Sequence, residues 1–203
     1  MTKLTPRQIK ALETKKKILD TSLHLFTLRG YNQVTVDEIV KESGTSKGAF
    51  YNHFQSKYEI FLEKFKEIDD FYVSFQQTIS LDLNSTEKIL TFINAQMTFI
   101  QNQLGKEVMK VIYINVLNPN PHNYLLDENR HMYNILKDFV TEGRNKQELR
   151  SDLSMESMIK ILTRSMRGCI YDWCMSGAGF DLVKESRTFF MVVLQGFQQN
   201  TQS

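Results

Sequence analysis

Between residues 34 and 57 the sequence assembles groups that hold an anion rather than groups that carry out a reaction. Thr35, Ser46 and Ser56 each stand where a helix should begin, and the free N–H groups and dipole of a helix start favour negative charge. Lys47 directly follows Ser46, and Lys57 directly follows Ser56. Between Ser46 and Phe54, Lys47, Gly48, Ala49, Tyr51, Asn52 and His53 fall opposite the apolar pair Phe50 and Phe54. These side chains are small, cationic or hydrogen-bonding, and none is acidic. A short helix with that face suits the major groove of double-stranded DNA, with phosphates at its rim. Three ordinary caps on a small bundle would show the same hydroxyls, and the acid-free outward face is what favours DNA over that reading.

The elements that must position these groups follow from apolar spacing. A first helix over about 7–29 has Ile18, Ser22, Leu25 and Phe26 on its inner face and stops at Gly30. Thr35 with Glu38 forms a capping box for a second, short helix that turns Ile39 and Val40 inward. Gly44-Thr45 makes a tight turn, Ser46 opens the third helix, and the helix-turn-helix covers about 34–53. A fourth helix starts at Ser56, with Glu59 three residues on, and runs toward Ser80. Further helices are expected at about 86–104, 106–117, 125–149, 154–176 and 182–199. Pro119 and Pro121 force a loop over 118–123. The fold class is therefore all-α with about nine helices: an N-terminal three-helix helix-turn-helix domain over 1–63 and a larger helical ligand-binding and dimerisation domain over 64–203.

Composition is consistent with two lobes of different job. Residues 1–60 hold ten Lys and Arg against six Asp and Glu, while the remainder holds fifteen against seventeen. A basic lobe joined to a mildly acidic one fits a DNA-binding segment attached to a partner with another task. Cys169 and Cys174 read as reduced, buried thiols. The start MTKLTPRQIK has no apolar core for a signal peptide, and the longest strongly apolar run, Phe189–Leu194, is far too short to span a bilayer. A cytoplasmic protein without membrane contact is expected. Catalysis is disfavoured, since no nucleophile elbow, phosphate-binding glycine loop or catalytic carboxylate pair occurs. Asp127 and His131, with His122 nearby, lack a third ligand for zinc. No metal and no cofactor is expected.

The run Ile18, Phe26, Gly30-Tyr31, Thr35-Val36, Ile39, Gly44-Thr45-Ser46-Lys47-Gly48, Phe50-Tyr51, His53-Phe54 and Ser56-Lys57 resembles the N-terminal domain of the tetracycline-repressor (TetR/AcrR) family. The likeness is dense over residues 14–63. Beyond them it rests on length and helix layout. It implies a phosphate contact for Thr35, and phosphate or base-edge contacts for Thr45, Ser46, Lys47 and Gly48. Tyr51 and His53 would meet phosphates or bases, and Lys57 would close the clamp. Asn52 departs from the aromatic residue common there, and asparagine can pair bidentately with adenine.

One short recognition helix reads few base pairs, so a homodimer on a palindromic operator is expected. The last two helices offer the dimer surface, through Ile159, Leu162, Met166 and Trp173 on one and Phe190, Leu194 and Phe197 on the other. Part of each stripe must also serve as core. Phe92, Phe99, Met109, Tyr113, Phe139, Met166 and Tyr171 are candidates for an adaptable pocket holding a small-molecule effector, with plain core as the alternative for each. The expected protein is a ligand-responsive transcriptional regulator, a repressor in the first reading. The alternative is a DNA-binding dimer whose second lobe only dimerises or binds a protein partner. Nothing in the sequence identifies the effector.

Overall fold

The computed structural model describes residues 4–117 and 124–199, and all regular structure within them is helical. The proline-bearing loop expected at 118–123, with His122, lies outside the described residues. The helices are α1 (Pro6–Arg29), α2 (Val36–Glu42), α3 (Lys47–His53), α4 (Lys57–Gln76), α5 (Ser85–Phe99), α6 (Lys106–Val116), α7 (His131–Asn145), α8 (Met155–Met175) and α9 (Leu182–Gln195). Contacts divide the chain into residues 1–65 and 66–203, a division that falls inside α4.

In the first unit, α1 begins at a capping box. Thr5 accepts from the Gln8 backbone, the Gln8 side chain reaches back, and Pro6 supplies the first turn. Its buried residues are Ile18, Ser22, Leu25 and Phe26, the face expected from their spacing. Phe26 stacks on Phe61 at 4.9 Å, and the Tyr31 ring meets both edge-on. Ile39, Phe50 and Phe54 close the core from α2 and from the end of α3, so the crossing of these two short helices is fixed by burial.

The second unit packs α5 on α7 and α9, and α8 on α6, α7 and α9. Several helix boundaries differ from the sequence expectation, including the end of α5 at Phe99 rather than 104 and the end of α7 at Asn145 rather than 149. α7 begins at His131 rather than near 125, because Asp127 accepts the Asn129 backbone N–H at 3.0 Å and Arg130 takes an extended conformation before the first turn. α9 stops at Gln195 rather than 199, because Arg150 donates to the Phe197 carbonyl at 2.9 Å and Leu149 pairs with Gln198 in an isolated bridge.

Gly143 on α7 sits where a side chain has no room. A Cβ there would lie 2.7 Å from the Leu149 side chain and 2.7 Å from the Ser85 Cβ. Gly143→Ala is expected to cost about 2 kcal/mol of stability through overpacking, read as a lowered melting temperature. A loss below about 0.5 kcal/mol would show that the contact between α5 and α7 yields.

Candidate DNA-binding surface

The turn before α3 is built by the backbone. Gly44 adopts φ +58° and donates to the Lys41 carbonyl at 3.2 Å, while Thr45 donates to the Val40 carbonyl at 2.9 Å. This pair of bonds ends α2 in a Schellman turn that only a residue tolerant of positive φ makes without strain. Thr45 is half-buried and its hydroxyl meets that of Ser43 at 2.8 Å. Ser46 then caps α3 by accepting the Ala49 N–H at 3.1 Å.

Phe50 holds α3 to the core at 0 % exposure, which turns the opposite side outward. Lys47, Gly48, Tyr51 and Asn52 are exposed, while Ala49 and His53 are half-buried. A Cβ on Gly48 would have Ser46 Oγ as its nearest neighbour, at 3.8 Å, so the front of the helix is open. Tyr51 stands out with its ring edge against Phe50 at 5.3 Å.

α2 contributes an acid that its own helix pattern does not flag. Asp37, in its first turn, forms an exposed ion pair with Lys47 at 2.7 Å, which holds the lysine ammonium above its ordinary pKa. Such a pair is worth little in water, so the lysine exchanges readily to a stronger anion. Lys17 is also brought to this region, since its Nζ would lie 3.6 Å from a Cβ on Gly44. Its neighbour Lys15 is instead half-buried, paired with Glu63 and 5.9 Å from the Phe54 ring centre.

Thr35 caps α2 as its spacing with Glu38 predicts, and Lys57 does different work from that expected. The Thr35 hydroxyl accepts the Glu38 N–H at 3.2 Å and donates to the Glu38 carboxylate at 3.0 Å, and its backbone N–H also goes to that carboxylate at 2.8 Å. Thr35 is therefore spent on capping α2. Lys57 donates to the Tyr31 carbonyl at 2.9 Å and to the Val34 carbonyl at 2.5 Å, with its Nζ 4.5 Å from the Tyr31 ring centre. Its burial lowers its pKa below the ordinary lysine range. Lys57 is a strut that holds residues 31–34, and through them the start of α2, rather than a free phosphate clamp.

In the second unit the stripes proposed for a dimer surface face inward. Leu162, Met166, Trp173, Phe190, Leu194 and Phe197 are buried within the chain itself, and Ile159 is half-buried. Periodicity identified the buried faces of α8 and α9, but the chain's own core covers them. Among large apolar residues, those left exposed include Ile161, Tyr171 and Met175 on α8 and Phe189, Met191 and Val192 on α9.

The pocket candidates scatter likewise. Phe92, Met109, Phe139 and Met166 are buried core, and Phe99 stacks on Phe71 at 4.7 Å. Tyr113 donates to the Arg167 carbonyl at 2.8 Å and lies 5.7 Å from the exposed Tyr171 ring. None of these seven lines the cleft of about 570 Å³ between α7 and α8, which involves Tyr133, Lys137, Ile159 and Arg164 instead. Among the described residues no three His, Cys, Asp or Glu side chains gather to hold a metal ion, and no helix is long and apolar enough to cross a membrane.

Residues 18–63 match the family model described as bacterial regulatory proteins, tetR family. The chain is 25% identical over 198 residues to the HTH-type transcriptional regulator AcrR of Shigella flexneri, covering 91% of this chain and 89% of that protein. It is 23% identical over 210 residues to the HTH-type transcriptional repressor BepR of Brucella suis biovar 1, covering 93% of each. The crystal structure of Thermus thermophilus FadR, a TetR-family repressor in complex with lauroyl-CoA, shares the fold with a TM-score of 0.73 at 18% identity, over 93% of this chain and 98% of that one.

Proposed function

We infer that this chain, a member of the TetR family of bacterial regulatory proteins and so a DNA-binding regulator of transcription rather than an enzyme, acts in the cytoplasm as a homodimeric repressor released from a palindromic operator by a small molecule. The observation that carries the DNA-binding part is the exposed, acid-free face of Lys47, Gly48, Tyr51 and Asn52 on a helix fixed by Phe50 and the Gly44 turn. In this reading Thr45, Ser46, Lys47 and Gly48 approach phosphates and base edges, with Ala49 against the groove floor. Tyr51 and His53 reach phosphates or bases, and Asn52 reads a base edge. Thr35 contributes by fixing α2, and Lys57 by holding the connection before it.

Dimerisation through α8 and α9 places the exposed Ile161, Tyr171 and Met175 with Phe189, Met191 and Val192 against a second copy. Release by a small molecule is supported by the lauroyl-CoA complex of the Thermus thermophilus repressor and by the cleft in the second unit, which favours it over a lobe that only dimerises.

Titrating labelled promoter fragments with the protein over a range of salt tests the reading. Affinity should fall steeply with ionic strength, and sedimentation should give a dimer both free and bound. Lys47→Ala is expected to weaken specific and random DNA alike by about tenfold and to reduce the salt slope by about one. Asp37→Asn removes the acid that competes for Lys47 and should tighten both complexes about threefold. A slope unchanged by Lys47→Ala would take α3 out of the interface.

A further inference from the structure

The cleft between α7 and α8 carries charge that the protein does not itself neutralise. The two helices run antiparallel: Thr141 reaches Met155 at 3.9 Å near one end, and Arg167 reaches the Tyr133 hydroxyl at 3.5 Å near the other. That register brings Lys137, midway along α7, level with Lys160 and Arg164 on α8. All three line the cleft. Glu156 pairs with Lys160, whereas Lys137 and Arg164 form no ion pair among the described residues. Arg167 adds a fourth cation, and Glu128 is the one other acid along the lining.

The apolar part of the lining is Met155 and Ile159 from α8 with the Tyr133 ring and Leu126, and Asn134 and Thr163 are its uncharged polar members. Like charges facing one another across a concave surface repel, and an anion placed between them relieves that repulsion. An apolar body beside the anion would cover the aliphatic and aromatic lining. The volume of about 570 Å³ suits one small molecule.

We propose that the α7–α8 cleft binds a free amphipathic anion, its acidic head group between Lys137 and Arg164 and its apolar body along Tyr133, Ile159 and Met155. The site rests on the reading of the second unit as ligand-responsive, and it names where the ligand sits and what class it belongs to. Arg164 supplies a planar fork for a carboxylate, sulfonate or phosphate ester, and Lys137 supplies a mobile second charge.

The test uses the full-length protein with three probes of equal chain length kept below their micelle concentrations: decanoate, decylammonium and decanol. Calorimetric titration should show decanoate binding at least about tenfold more tightly than either of the others. Lys137→Gln with Arg164→Gln, both at exposed positions and so leaving the melting temperature of the free protein unchanged, should weaken decanoate about tenfold or more and leave decanol unaffected. Decylammonium binding as tightly as decanoate would overturn the proposal. So would unchanged decanoate affinity in the double variant, or sedimentation with phosphatidylglycerol vesicles in place of binding the free anion. Operator affinity measured in parallel separates the two ideas. Decanoate that binds the cleft without loosening DNA supports the site and sinks the ligand-release reading. DNA released by decanoate equally well from the double variant supports release and overturns this site.

Discussion

Lys57→Met should lower the stability of the N-terminal unit by about 3 kcal/mol, since it deletes two hydrogen bonds from a charged donor and a cation–ring contact. The two carbonyls belong to Tyr31 and Val34, on either side of the short turn that delivers the chain from α1 to α2. Losing the strut frees that turn and, with it, the cap at Thr35. Differential scanning calorimetry should show a fall of about 10 °C or more in the transition that contains residues 1–65. At a temperature where the variant is still folded, its salt slope for DNA should match that of the parent, in contrast with Lys47→Ala. A variant that melts normally but loses about one unit of slope would make Lys57 a phosphate ligand after all.

That contrast shows which features the sequence could reveal. The caps at Thr35 and Ser46, the stop at Gly44 and the inner face of α1 are local, set within four residues of one another, and each was readable from spacing. Lys57 was not, because its partners lie 26 and 23 residues away, and a lysine after a helix-opening serine reads equally well as a phosphate ligand. Asp37 escaped for the same reason. In its own helix it complements the dipole, and only the crossing of α2 and α3 sets it 2.7 Å from Lys47.

In the second unit the helices were legible and their partners were not. A stripe such as Leu162, Met166 and Trp173 declares burial without saying whether the chain or a second copy provides it. The start of α7 was misplaced because Leu125 and Leu126 prolong the apolar period across the Asp127 turn. The cleft was invisible for a different reason. Lys137, Lys160 and Arg164 are unremarkable surface charges on two helices, and only the antiparallel pairing of α7 with α8 makes them one group.

The same unit contains a buried charge whose neutralisation is complete, and its removal should have the largest effect of any substitution considered. Arg130 is 6 % exposed, and its guanidinium meets Asp69 in a fork, Nη2 to Oδ1 at 3.0 Å and Nε to Oδ2 at 3.2 Å. Tyr124 donates its hydroxyl to the same carboxylate, and the guanidinium lies 4.4 Å from the centre of its ring. Asp69→Ala strips the counter-charge from a buried arginine and should cost about 4 kcal/mol, a large share of the stability of an ordinary domain. The second substitution decides the cause. Arg130→Met in the Asp69→Ala background removes the stranded charge and should restore about half of the loss or more, since an apolar pair of similar volume commonly replaces a buried ion pair at little cost. Urea titration of the parent, both single variants and the double variant gives the coupling energy directly, and values that add without coupling would show that the two side chains act independently.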